Sequence, residues 1–181
     1  MLPWLALATV LAGGIPARAQ TLQLSSPDIA PGGPIAAPQV YDGHGCGGGN
    51  LSPALAWRGV PAGTRSLAVT IFDPDARAGH GWWHWGVFDL PPDLAGLPEG
   101  AGNPRRGLLP RGAEQARNDF GENAYDGPCP PAGPPHHYII TLYALDVARL
   151  AATPAIPAGR VAKTLATRTL ARATLTGLYG R

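Results

Sequence analysis

The chain has 181 residues, a length that favours one domain, and its 14% charged and 45% apolar side chains suit a packed globule and exclude a disordered tail. Its formal net charge is +2 and it holds no run of Lys or Arg to follow a phosphate backbone, which argues against nucleic acid as a partner. The 25 glycines and 21 prolines show no short repeat, so collagen-like and low-complexity readings fail and many short strands with irregular loops are expected.

Pro3 to Ile15 is apolar, broken only by Thr9 and glycines, and Ala17-Arg18-Ala19 follows as a small-x-small site. The run is too short to span a bilayer comfortably, so residues 1–19 are predicted to be a cleaved signal peptide, with an uncleaved anchor as the alternative. The segment departs from the usual pattern in having no Lys or Arg before the apolar run. No Cys follows it, which argues against a lipoprotein. Residues 20–181 are then a single exported domain, periplasmic or secreted, with no stable membrane insertion.

Thr21 to Leu24 alternates and predicts a first strand. Residues 42–50, DGHGCGGGN, contain five glycines and predict a tight loop. Pro53 to Trp57 predicts a weak strand, and Ser66 to Phe72 (SLAVTIF) a central one, β-branched and apolar. His84 to Leu90 and Tyr138 to Leu145 predict two more. Between them, residues 91–135 are rich in Pro, Gly, Asn and Arg, with one helical turn expected near Pro92–Leu97 and the remainder wrapping the surface. Val161, Leu165, Leu175 and Leu178 stand at helical spacing and predict one amphipathic helix over residues 158–178, ended by Gly180. Strands dominate, so the fold class is mainly β, an antiparallel sandwich with a peripheral C-terminal helix.

Polar groups cluster where the strong strands begin or end: Asp73 to Arg77 after one, His80 to Trp85 entering the next, and Gly127 to Tyr138 entering the third. If these strands are neighbours, Asp73, His84 and His136 converge at one rim of the sheet. Two imidazoles can donate N–H to phosphate or carboxylate oxygens, and a nearby carboxylate raises their pKa and fixes the tautomer. Tyr138 adds a hydroxyl and Gly127 an unobstructed backbone N–H. Trp82, Trp83 and Trp85 offer apolar walls or a face for an alkylammonium group. Strand alternation sends Trp83 and Trp85 one way, at least one of them into the core, and His84 the other. His44, His80 and His137 read as loop or surface residues. Cys46 and Cys129, 83 residues apart, suggest one disulfide, worth about 4–5 kcal/mol on chain entropy before strain, with two buried free thiols as the alternative.

Five segments carry a resemblance: residues 45–53 (GCGGGNLSP), 66–76 (SLAVTIFDPDA), 81–91 (GWWHWGVFDLP), 116–121 (ARNDFG) and 127–146 (GPCPPAGPPHHYIITLYALD). In this order they resemble the phosphatidylethanolamine-binding protein family, in its bacterial Raf-kinase-inhibitor-like branch. The resemblance implies a sandwich of a large and a small antiparallel sheet with peripheral helices. It implies a small cavity for phosphate, a carboxylate such as acetate, or a phosphoethanolamine-type headgroup, formed by Asp73, His84, His136, Tyr138, Gly127 and Pro128, with Trp82 on the wall. Such proteins mostly bind or inhibit protein partners, kinases or proteases, so no catalytic residue, cofactor or metal is expected. Two departures stand out: Arg77 replaces the second Pro of DPDAP, and His136-His137 replaces His-Arg. Arg77 adds a cation at the pocket mouth or faces solvent.

The competing class is a hydrolase. Asp73, His84 and His136 could make an open zinc site, but no HExxH or other close-spaced ligand pair is present. The mature chain has only Ser25, Ser26, Ser52 and Ser66, with no GxSxG, and Cys46 as a nucleophile would need a free thiol.

Overall fold

In the computed structural model, residues 21–151 and 156–181 are described, and the predicted signal peptide lies outside them. Strands β1 (Gln23–Ser25), β2 (Leu55–Arg58) and β5 (Gly96–Leu97) form a three-stranded sheet in the order β1-β2-β5. Strands β3 (Ser66–Asp73), β4 (Trp82–Leu90), β6 (Glu114–Gln115), β7 (His136–Leu145) and β8 (Thr169–Tyr179) form a five-stranded sheet in the order β6-β4-β3-β7-β8. Every pair of these strands is antiparallel, giving the large-plus-small sandwich that the resemblance implies.

One core lies between the sheets, where Leu22, Leu55 and Trp57 meet Leu67, Val69, Trp85, Val87, Ile140 and Leu142. A second core lies on the other face of the large sheet, where the helix Ala158–Arg168 packs Val161 and Leu165 against Ala68, Phe88 and Leu145. Each fully buried aliphatic side chain contributes about 1.5–3 kcal/mol. Strand β3 is therefore covered on both faces, which explains its unbroken apolar run.

The helix expected over residues 158–178 stops at Arg168. Residues Thr169–Tyr179 instead pair with the whole of β7, from Leu145↔Thr169 to His136↔Tyr179. Val161 and Leu165 are true helical neighbours, but Leu175 is buried through strand alternation. Thr169, Thr174 and Thr176 favour that extended state. Gly177 lies under Ile29 and Ile35, where a Cβ would be too close to both, and Gly180 ends a strand.

No helical turn forms at residues 92–97. Gly96 and Leu97 pair with β2 instead, and a side chain at Gly96 would strike the carbonyl of Leu55. Nor does the long segment 91–135 merely wrap the surface: Leu97, Ala101, Ala116, Asn118, Tyr125 and Asp126 are all buried.

Candidate functional site

Asp73, the last residue of β3, stands opposite Trp82, the first of β4, while β7 starts at His136 on the other side of β3. Three adjacent strand ends thus bring Asp73, Trp82, His84, His136 and Tyr138 around one cavity of about 640 Å³. Phe120 and the loop Cys129 to Pro134 complete its wall, with His44, Asp75 and Arg77 at the lining as well. Cys46 and Cys129 are disulfide-bonded, which joins the glycine-rich loop to this wall.

The strand alternation expected around the tryptophans is broken. Ile71 pairs with Trp85 but Phe72 pairs with Trp83, so His84 is one extra residue in β4, a β-bulge. Trp85 consequently enters the core between the sheets, while Trp83 packs beside Phe72 and the helix-side core. His84 turns onto the floor of the cavity, edge-on to Tyr138 and Phe120. Its carbonyl is met by the backbone N–H of Asp126 at 3.1 Å.

His84 is held from behind. Its Nδ1 lies 2.7 Å from the carbonyl oxygen of Asp126. A carbonyl only accepts, so Nδ1 carries the proton. Burial holds the His84 pKa below the ordinary histidine value, which leaves the ring neutral and Nε2 a lone-pair acceptor. The pair of imidazole donors that the sequence suggests is therefore not what the geometry presents. The Asp126 carboxylate accepts from Asn50 Nδ2 at 2.9 Å and Asn118 Nδ2 at 2.8 Å, and burial raises its pKa. Asn118 Oδ1 in turn accepts the backbone N–H groups of Phe120 and Glu122.

Asp73 orients one imidazole, not two. Its Oδ2 lies 2.7 Å from His136 Nδ1, and its Oδ1 accepts the backbone N–H groups of Asp75 and Ala76. With Nδ1 committed, Nε2 is the His136 nitrogen left for a ligand. Tyr138 is 1% exposed and its hydroxyl has no hydrogen-bond partner. Burial and the neighbouring Asp73 carboxylate push its pKa up, so it stays a protonated donor. Trp82 Nε1 is likewise buried without a partner.

Gly127 does not offer its N–H to the cavity, because Asn50 Oδ1 already accepts it at 2.8 Å. A side chain at Gly127 would collide with the carbonyl of Gln39, so glycine is needed there for close backbone approach. Pro128 also sits behind the site, with its carbonyl accepting from Tyr41 N–H; Pro130, Pro131 and Pro134 line the cavity instead. Arg77 does not simply face solvent: its Cζ lies 4.5 Å from the ring centroid of Trp82. His137 points away and pairs with Asp75 at 2.8 Å, a contact that lowers the Asp75 pKa, chiefly through the His137 backbone N–H. His80 is exposed outside the cavity lining, whereas His44 stacks on Tyr41 at its mouth.

Asn50, Asn118, Phe120 and Asp126 are the residues that sequence reasoning missed. Asn50, Asn118 and Phe120 lie within segments that carried the resemblance, but a buried polar cluster leaves no periodic signal. Among the described residues, no group of three or more His, Cys, Asp or Glu is placed to hold a metal ion.

Residues 25–180 match the family model described as phosphatidylethanolamine-binding protein. The chain is 42% identical over 164 residues to YbcL of Escherichia coli (strain K12), covering 90% of each chain. It is 42% identical over 160 residues to YbhB of the same strain, covering 87% of this chain and 99% of YbhB. The crystal structure of E. coli YbcL, described as a new member of the mammalian PEBP family, superposes with a TM-score of 0.85 over 88% of this chain and 98% of that one.

Proposed function

Since this chain belongs to the phosphatidylethanolamine-binding protein family, we propose that it is an exported protein that binds a small oxyanion at this cavity and performs no catalytic step. The ligand class is phosphate, a carboxylate or a phosphoethanolamine-type headgroup. The observation that carries this reading is the buried, unpartnered hydroxyl donor of Tyr138, which shares the cavity with His136 Nε2, a nitrogen that donates to an anion once the ring carries its second proton. A buried donor left unpaired costs about 1–3 kcal/mol, and an anion would recover that cost. Neutral His84 accepts the proton of a phosphate hydroxyl, or becomes a second donor by taking up a proton as the anion binds.

Export is supported by the Cys46–Cys129 disulfide, since such bonds persist in oxidising compartments. No helix among the described residues is long and apolar enough to cross a membrane. The zinc-hydrolase reading is weaker because both Asp73 oxygens already accept hydrogen bonds.

Calorimetric titration of the mature protein with inorganic phosphate tests the proposal. His136→Ala should lower affinity by about tenfold to a hundredfold, the size of a charge-assisted hydrogen bond. Equal binding by variant and wild type would remove the assignment.

A further inference from the structure

We propose that Arg77 makes this cavity select phosphomonoesters whose far end carries a carboxylate, in preference to phosphoethanolamine-type zwitterions. The inference rests on the anion-binding reading and narrows it. An aromatic face on the wall would suit an ammonium group, but the Trp82 face already carries the Arg77 guanidinium. Among the described residues, that guanidinium has no carboxylate within ion-pair distance and makes no side-chain hydrogen bond. Its planar donors are free to meet a carboxylate in two parallel hydrogen bonds.

The acids around the cavity offer an ammonium little. Asp73 spends Oδ1 on the turn backbone and Oδ2 on His136. Asp75 spends Oδ2 on the N–H and ring of His137. Asp75 keeps Oδ1 open, so the mouth carries one carboxylate and one guanidinium, and of the two only the guanidinium lacks a side-chain partner among the described residues.

The backbone holds Arg77 in this role. Arg77 and Ala78 adopt left-handed conformations, with φ of 52° and 54°, which a Cβ disfavours. The turn is closed by His80 N–H to Arg77 O and Gly81 N–H to Ala76 O. Gly81 then passes so close to Phe72 that a side chain there would overlap the ring, which fixes the turn against the sheet.

The test compares four phosphomonoesters at low ionic strength by titration calorimetry: ethyl phosphate with a neutral tail, phosphoethanolamine with a cationic tail, and phosphoglycolate and 3-phosphoglycerate with carboxylates at two reaches. The better carboxylate should bind about fivefold tighter than ethyl phosphate, the scale of one exposed ion pair, and phosphoethanolamine no tighter. Arg77→Gln should abolish the carboxylate preference, lowering affinity for the preferred carboxylate ester more than for ethyl phosphate, and Arg77→Lys should retain part of it. The inference is overturned if phosphoethanolamine outbinds ethyl phosphate, which would make Asp75 an ammonium partner. It is equally overturned if neither carboxylate is preferred or if Arg77→Gln leaves the preference intact. Failure to bind ethyl phosphate at all would instead remove the underlying anion reading, and the inference with it.

Discussion

Behind His84, Asp126, Asn50 and Asn118 satisfy one another, and each Asp126 carboxylate oxygen has an amide donor. In front of His84, Tyr138 Oη and Trp82 Nε1 are buried with no partner. The same imidazole separates the two regions, and both are walled by loops that the sheet ends position. The difference teaches what each is for. A completed polar cluster fixes a ring in place, whereas an incomplete one is finished by something that arrives from outside.

Breaking the rear cluster should cost the most. Asn118→Ala removes the amide donated to Asp126 and the oxygen that accepts two backbone N–H groups, leaving a buried carboxylate half-paired. Urea denaturation should show a loss of about 3 kcal/mol. A loss near zero would mean that the cluster does not hold the site together.

Front-face substitution should run the other way. Tyr138→Phe deletes an unpaired hydroxyl, so the free protein should gain about 1–2 kcal/mol while phosphate affinity falls several-fold. A variant that loses stability would show that the hydroxyl is already satisfied.

The smallest effect is on pH dependence. Burial holds the folded His84 pKa below its ordinary 6.5, so the unfolded chain binds more protons below that pH. Stability from this group is therefore present above pH 6.5 and is lost as the pH falls toward the folded value. Between about pH 7 and 5.5 this should be seen as a steeper acid fall in melting temperature for wild type than for His84→Gln. Saturating phosphate should flatten the wild-type slope by stabilising the imidazolium. The raised pKa values of Asp126 and Asp89 oppose this trend in both proteins, so the difference between them isolates His84.

The strands that carry the site were legible because β-branched and apolar runs mark β3, β4 and β7, with Asp73, His84 and His136 at or near their ends. The two-sheet architecture came through the resemblance of five short segments. The C-terminal half-helix misled because Leu175 and Leu178 fit a helical period by coincidence, and only pairing with β7 decides for a strand. The rear cluster was invisible because Asn50 comes from the glycine-rich loop and Asn118 and Asp126 from the irregular connection between β6 and β7, and they meet only in three dimensions. Gly127 was legible as special but not in kind: its glycine character serves packing against Gln39, not an exposed N–H.

The bulge at His84 means that the cavity floor depends on a residue count as well as on residue types. Deleting His84 would leave Trp83 and Trp85 as consecutive partners of Phe72 and Ile71, regular pairing with their present faces kept, and would take the imidazole off the cavity floor. Within this strand an insertion or deletion is thus a functional change, even where every neighbouring letter is kept.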